Sequence, residues 1–304
     1  MKDFMRNSIL LLLSAVLILS GCSNSTESNQ KESASENTKS AEASNDENKE
    51  VVFGMAAWTS TEAPTNIAKL ILEEAGYKVE FKRVEQPLIF SGLKNQDIDF
   101  FMDAWLPYTE AELWGKYKDD LVKVATSYEE APLGWVVPTY VEENSIEELR
   151  GKAEKFDGKI VGLGEGSGMT PTSKQMIKDY HLTGFEYISS SEVAMLTEAK
   201  RKMEKEEPVI FLAWRPHSIF AQHNLKFLED PKGNFKADNV YVISYKGIEK
   251  KHPEAYNILS KWSIDIADLE EMMLKFENDG TSFEDLAKEW IEEHREQVNQ
   301  MLGK

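Results

Sequence analysis

From residue 51 onward the chain alternates strand-like and helix-like segments, and near residue 159 the alternation starts again. The first series predicts strands over 51–58, 79–84 and 98–105, with a helix over 59–76 and a shorter one over 87–95. The longer helix carries Ile67, Leu70 and Ile71 on one face and Gly76 at its end, the usual marks of a half-buried helix and its stop. Helix over 109–118 and strands over 121–127 and 134–140 follow, then a helix over 145–156. The second series predicts strands over 159–163, 185–189 and 209–214, with helices over 170–180 and 192–206 between them. Strands that alternate with helices build sheets covered on both faces, so a restart predicts two α/β lobes. A late strand over 239–245 and a helical tail over 253–262, 266–278 and 282–302 then need a core of their own. They find one only by returning to the first lobe. The expected organisation is therefore 51–136 and 241–304 in lobe 1 and 137–240 in lobe 2, with 135–140 and 239–245 as two crossing hinge strands. One continuous sheet is the alternative, and about 250 residues suffice for either.

The chain's start points to a compartment. Lys2 and Arg6 form a positive n-region, and 9–19 is an apolar stretch too short to span a bilayer comfortably. Leu19-Ser20-Gly21-Cys22 follows, small residues ahead of the chain's one cysteine. It looks like a bacterial lipobox, which predicts a signal peptide over 1–21 and lipidation, such as palmitate, at Cys22. An ordinary signal peptide with an incidental cysteine is the plainer alternative. A lone cysteine allows no disulfide framework and no cysteine metal site. Residues 23–50 contain no Ile, Leu, Val, Met or aromatic residue, so 22–50 is expected to be a disordered tether. Its root-mean-square reach would be on the order of 30 Å. The protein is thus expected outside the cell, lipid-anchored to the outer face of a bacterial cytoplasmic membrane.

The formal charge of −18 argues against nucleic acid and anionic lipid heads as partners. Enzyme signatures are missing: there is no G-x-S-x-G, no H-E-x-x-H and no Walker motif, and none of the five histidines is paired at metal-ligand spacing. No catalytic residue, metal or cofactor is expected. Gly162-Leu163-Gly164-Glu165-Gly166-Ser167-Gly168 follows a strand and opens a helix, but Ser167 stands where a dinucleotide fingerprint needs its third glycine. A glycine-rich turn at a helix start still exposes backbone N–H groups that attract an anion. A tight turn without a ligand fits that segment as well.

The tryptophans discriminate better. Trp58, Trp105 and Trp214 end three predicted strands, and ligands of open α/β sheets bind beyond strand carboxyl ends. Three π-faces gathered there would cage a cation that cannot hydrogen-bond, as quaternary ammonium groups are held. Trp114, Trp262 and Trp290 lie in helical patterns and read as packing residues, and Trp135 falls on an expected hinge strand.

Residues 51–304 resemble the OpuAC family of glycine betaine-binding proteins of ABC importers. The resemblance is carried by Ala57-Trp58-Thr59-Ser60 with Pro64-Thr65-Asn66, by Ala104-Trp105-Leu106-Pro107, and by Gly134-Trp135-Val136-Val137-Pro138-Thr139-Tyr140. Gly166-Ser167-Gly168-Met169, Ala213-Trp214-Arg215-Pro216-His217 and Leu228-Glu229-Asp230-Pro231-Lys232 complete it. It implies a two-lobed fold of the type II periplasmic-binding-protein kind that closes on an osmoprotective solute. Trp58, Trp105 and Trp214 would then enclose a trimethylammonium group, with the amides of Gly168 and Met169 on its carboxylate. It further implies delivery to a permease and its ATPase subunits by a monomer, with choline, carnitine or proline betaine as alternative ligands. Members commonly carry a histidine a few residues after the Ala-Trp-Leu-Pro tryptophan; here Glu110 occupies that position. A carboxylate would repel a carboxylate, so either Glu110 points away or the preferred ligand is not simple glycine betaine. His217 is a second candidate donor near the ligand.

Overall fold

The structure, a computed structural model, describes residues 49–304. The expected signal peptide, Cys22 and the tether up to residue 48 lie outside the described residues. The chain opens with β1 (Glu50–Met55), α1 (Thr59–Glu74), β2 (Lys78–Arg83), α2 (Gln86–Lys94), β3 (Phe100–Leu106), α3 (Ala111–Tyr117) and β4 (Leu121–Ala131). It continues with β5 (Leu133–Pro138), β6 (Lys159–Leu163), α4 (Met169–Asp179), β7 (Glu186–Ser190), α5 (Glu192–Met203), β8 (Phe211–Trp214), α6 (Ile219–Gln222) and β9 (Leu225–Phe227). The last part holds β10 (Asp238–Tyr245), α7 (Ile248–Lys251), α8 (Pro253–Leu259), α9 (Ile266–Asp279), α10 (Phe283–Glu293) and α11 (Arg295–Leu302).

Two separate five-stranded mixed sheets result, one per lobe. The first runs β2-β1-β3-β10-β4 and the second β7-β6-β8-β5-β9. In each, the strands joined by helices are parallel, whereas β10 and β5 run antiparallel to both of their neighbours. The two strands expected to cross between lobes each belong to one sheet instead. β5 pairs with β8 and β9, β10 pairs with β3 and β4, and the chain crosses at Pro132 and again between β9 and β10. Sheet membership therefore assigns 133–138 to the second lobe and 238–240 to the first. Antiparallel partners drew these strands fully into one ladder, a long-range pairing that local pattern does not encode.

The helical tail does return to the first lobe, where α1 packs on α9 and α10. Two expected helices are broken. Residues 145–156 form two 3-10 turns, Ile146–Leu149 and Ala153–Phe156, because Gly151 between them sits at φ +72°, a left-handed conformation that ends a helix. The run 282–302 is divided at His294, whose ring stacks on Trp290 with centroids 4.3 Å apart. The carboxyl ends of the parallel strands β1, β3, β6 and β8 carry Trp58, Trp105, the 164–168 turn and Trp214. That is where an open α/β sheet places its ligand site.

Candidate functional site

A small cavity is lined by Trp58, Trp105 and Trp214 together with Ser60, Gln86, Thr109, Glu110, Leu133, Leu163, Ser167, Gly168 and Met169. Both lobes contribute to it. Trp58 precedes the first turn of α1 in an extended conformation, and its carbonyl takes the amides of Thr61 and Glu62. Trp105 faces inward near the end of β3, a strand buried along its whole length. Its indole donates to Asp103 Oδ1 at 2.7 Å, and the Tyr128 ring meets it edge-on at 6.3 Å. Trp214 ends β8 and is met edge-on by the His217 ring at 5.1 Å. Three indoles thus wall one space, and Trp105 and Trp214 are each held by a neighbouring side chain.

The charge around this space has one sign. Among the described residues, no lysine or arginine lines the cavity. Behind Trp105 lies Asp103, wholly buried, which accepts from Thr61 Oγ1 (2.6 Å), Trp105 Nε1 (2.7 Å) and Ser60 Oγ (3.0 Å). Burial pushes its carboxyl above the ordinary value, and those three donors work against the rise. Glu192, from α5, accepts from Thr59 N and Oγ1 beside Trp58, and from His217 Nε2 behind Trp214. Buried carboxylates behind an aromatic wall favour a cation there, because low dielectric strengthens their attraction.

Glu110 points into the cavity and is 2% exposed. Gln86 Nε2 donates to its Oε1, while Oε2 is buried without a hydrogen-bond partner. Burial, and then the Asp103 charge, push this carboxyl well above 4.5. His217, the other suggested donor, does not line the cavity. Its Nδ1 accepts the Ile219 amide and its Nε2 donates to Glu192, so it props Trp214 and leaves the ligand space to others. Gly168 and Met169 do line it, at the start of α4, where first-turn amides have no intrahelical acceptor. The Met169 amide makes a 3.3 Å contact with Ser167 Oγ.

The lobes meet around the cavity. Thr59 reaches Glu192 across the cleft, Arg215 Nη1 lies 3.3 Å from Glu270, and Lys200 pairs with Glu277. A Cβ on Gly168 would fall 2.1 Å from the Thr109 carbonyl oxygen of the other lobe. This is a closed arrangement. Asp103 escaped the sequence reading, although a signal existed: it sits two residues before Trp105 on one strand, hence on the same face. Ser60, Gln86 and Thr109 carried no such signal. Trp135 donates to Ser173 inside the second lobe, Trp262 to Ser127 and Trp290 to Asp268, and with Trp114 they lie outside the cavity.

A family profile for the substrate binding domain of the ABC-type glycine betaine transport system matches residues 49–293. The glycine betaine/carnitine transport binding protein GbuC of Listeria monocytogenes serotype 1/2a (strain 10403S) is 34% identical over 148 residues, 48% of this chain. The match spans 49% of that relative, about half its length. Lactococcal OpuAC, solved closed with glycine betaine, superposes with a TM-score of 0.79 at 30% identity, covering 84% of this chain and all of that one. An ABC-transporter choline binding protein in complex with choline gives the same TM-score at 26% identity, over 84% of this chain and 92% of its own.

Proposed function

This chain belongs to the family of substrate-binding domains of ABC-type glycine betaine transport systems, and from that premise we propose that it captures glycine betaine or a close quaternary-ammonium relative for import. A substrate-binding protein of an ABC importer is extracytoplasmic, and its family is one of transport, not catalysis. The carrying observation is the cavity itself: three indoles from two lobes, backed by Asp103 and Glu192, with no basic side chain on the wall among the described residues. Such a space suits a cation that offers methyl groups in place of hydrogen-bond donors. In this reading Trp58, Trp105 and Trp214 enclose the trimethylammonium group, and the amides of Gly168 and Met169 take the carboxylate. Choline is the second reading, which an ionised Glu110 in the same space would favour. Tryptophan fluorescence titrated with glycine betaine, proline betaine, carnitine and choline tests the class, and a protein silent to all four would defeat it.

Closure follows from a cage whose walls belong to two lobes. Saturating glycine betaine should shift the population toward the compact form, and the radius of gyration from solution scattering should fall. Identical scattering with and without ligand would argue for a preformed, rigid site.

The cargo would pass to a permease and through it to ATPase subunits, from a monomer tethered by its lipidated Cys22. Cys22→Ala should release the protein or leave it unprocessed, with affinity for the solute unchanged in solution. Normal processing and membrane retention in that variant would mean that Cys22 is not the anchor.

A further inference from the structure

Resting on the betaine reading above, we propose that Glu110 enters the site as a neutral acid and donates its Oε2–H to the carboxylate of the bound zwitterion, making it a specificity-determining residue. The geometry is specific. One oxygen of the group is occupied by the Gln86 amide, and the other is buried in the cavity wall with no partner. Its chain neighbour Thr109 abuts Gly168, so the free oxygen shares a corner of the cleft with the start of α4, where Ser167, Gly168 and Met169 line the same space. A ligand carboxylate drawn to those amides would therefore come within reach of Glu110.

Every charge that bears on Glu110 argues for its proton. Asp103 on β3 and Asp238 beside β3's exit are both acidic, and Asp238 is already engaged by the amides of Tyr108 and Thr109 at 2.8 Å. Burial is the main push toward the neutral form, and among the described residues no lysine or arginine lines the cavity to offset another negative charge. A neutral carboxyl has what an ionised one lacks, an O–H donor. Asp103 contrasts with it: three side-chain donors surround that carboxyl, against one side-chain donor for Glu110, where Trp105 backbone and Gln86 hydrogen bonds oppose the rise without cancelling it. The two acids thus divide the labour, Asp103 serving the cationic end of the ligand and Glu110 the anionic end.

The test is calorimetric titration of glycine betaine and choline across pH 5 to 9 against the wild type, Glu110→Gln and Glu110→Leu. Wild-type affinity for glycine betaine should fall as rising pH removes the Glu110 proton, while affinity for choline should hold or rise. Glu110→Gln keeps a neutral donor, so it should bind glycine betaine within about threefold of the wild type at neutral pH and lose the pH dependence. Glu110→Leu should weaken glycine betaine by about tenfold or more, as loss of a hydrogen bond to a charged group does, and weaken choline by clearly less. Infrared difference spectra should also show a protonated carboxyl band that shifts when glycine betaine binds and is absent in Glu110→Gln. Equal, pH-independent binding by all three proteins, or a missing carboxyl band, would overturn the assignment alone. A wild type that binds neither solute would overturn the function on which it rests, and the assignment with it.

Discussion

Trp105→Ala and Trp214→Ala should each weaken glycine betaine binding by at least about thirty-fold. A desolvated cation–π contact contributes roughly 2 kcal/mol or more, and each 1.4 kcal/mol is tenfold in affinity. Trp58→Ala should behave alike, although this indole is the least buried of the three. Trp105 carries an added penalty, because its removal takes from buried Asp103 the donor at 2.7 Å. Trp290→Ala is the informative control. That side chain is equally buried, packs on Trp262 and donates to Asp268, but it lies outside the cavity. It should cost about 3–5 kcal/mol of stability, as a large-to-small core change does, and leave the affinity of the folded fraction intact. Denaturant melts and calorimetry on all four variants separate the two effects. Parallel losses of affinity at all four positions would mean general destabilisation and dissolve the cage.

Gly168→Ala should be the more selective lesion. The residue sits at φ −61°, ψ −24°, ordinary for alanine, so the new methyl brings no backbone strain. Its obstacle is the Thr109 carbonyl oxygen, 2.1 Å from where the Cβ would lie, and that oxygen belongs to the other lobe. With the lobes apart the methyl meets nothing of Thr109, but closure forces the two together. Overpacking typically costs about 1–3 kcal/mol. Falling on the closed state alone, this lowers apparent affinity by roughly fivefold to 150-fold through the fraction of binding-competent molecules. The ligand-free melting temperature should barely move, and scattering should show incomplete compaction at saturating glycine betaine. A variant that closes and binds as the wild type does would place Gly168 away from the closing surface.

Glu110 also bears on stability, and the sign is definite. Its folded-state value lies above the ordinary 4.5, so above that pH the folded protein holds a proton that the unfolded chain has released. Stability therefore falls as pH rises from 4.5 toward the folded-state value. Asp103 acts in the same direction. Part of the ligand-free protein's resistance to denaturant should thus be lost between acidic and alkaline buffer, and Glu110→Gln should recover some of it at high pH.

Much of this protein was legible from local pattern. The period of the apolar residues located β6 to the residue and α1 to within two residues, because side-chain periodicity is a property of neighbouring positions. Trp58, Trp105 and Trp214 could be gathered at strand ends because a parallel sheet puts all its carboxyl ends on one side. The restart near 159 announced two lobes. Two antiparallel strands defeated the same logic, since β5 and β10 took their sheets from partners far along the chain. His217 could be named as a donor from sequence, but its hydrogens and lone pairs were already spent on Glu192 and Ile219. Asp103 needed the fold to bring Ser60 and Thr61 onto its oxygens. Glu110 is the clearest division of labour between the two levels. The one-dimensional chain determines that a carboxyl stands at that position, whereas its charge is set by desolvation and by Asp103 and Asp238 against the opposing Trp105 backbone and Gln86 hydrogen bonds, and only tertiary structure assembles these around it.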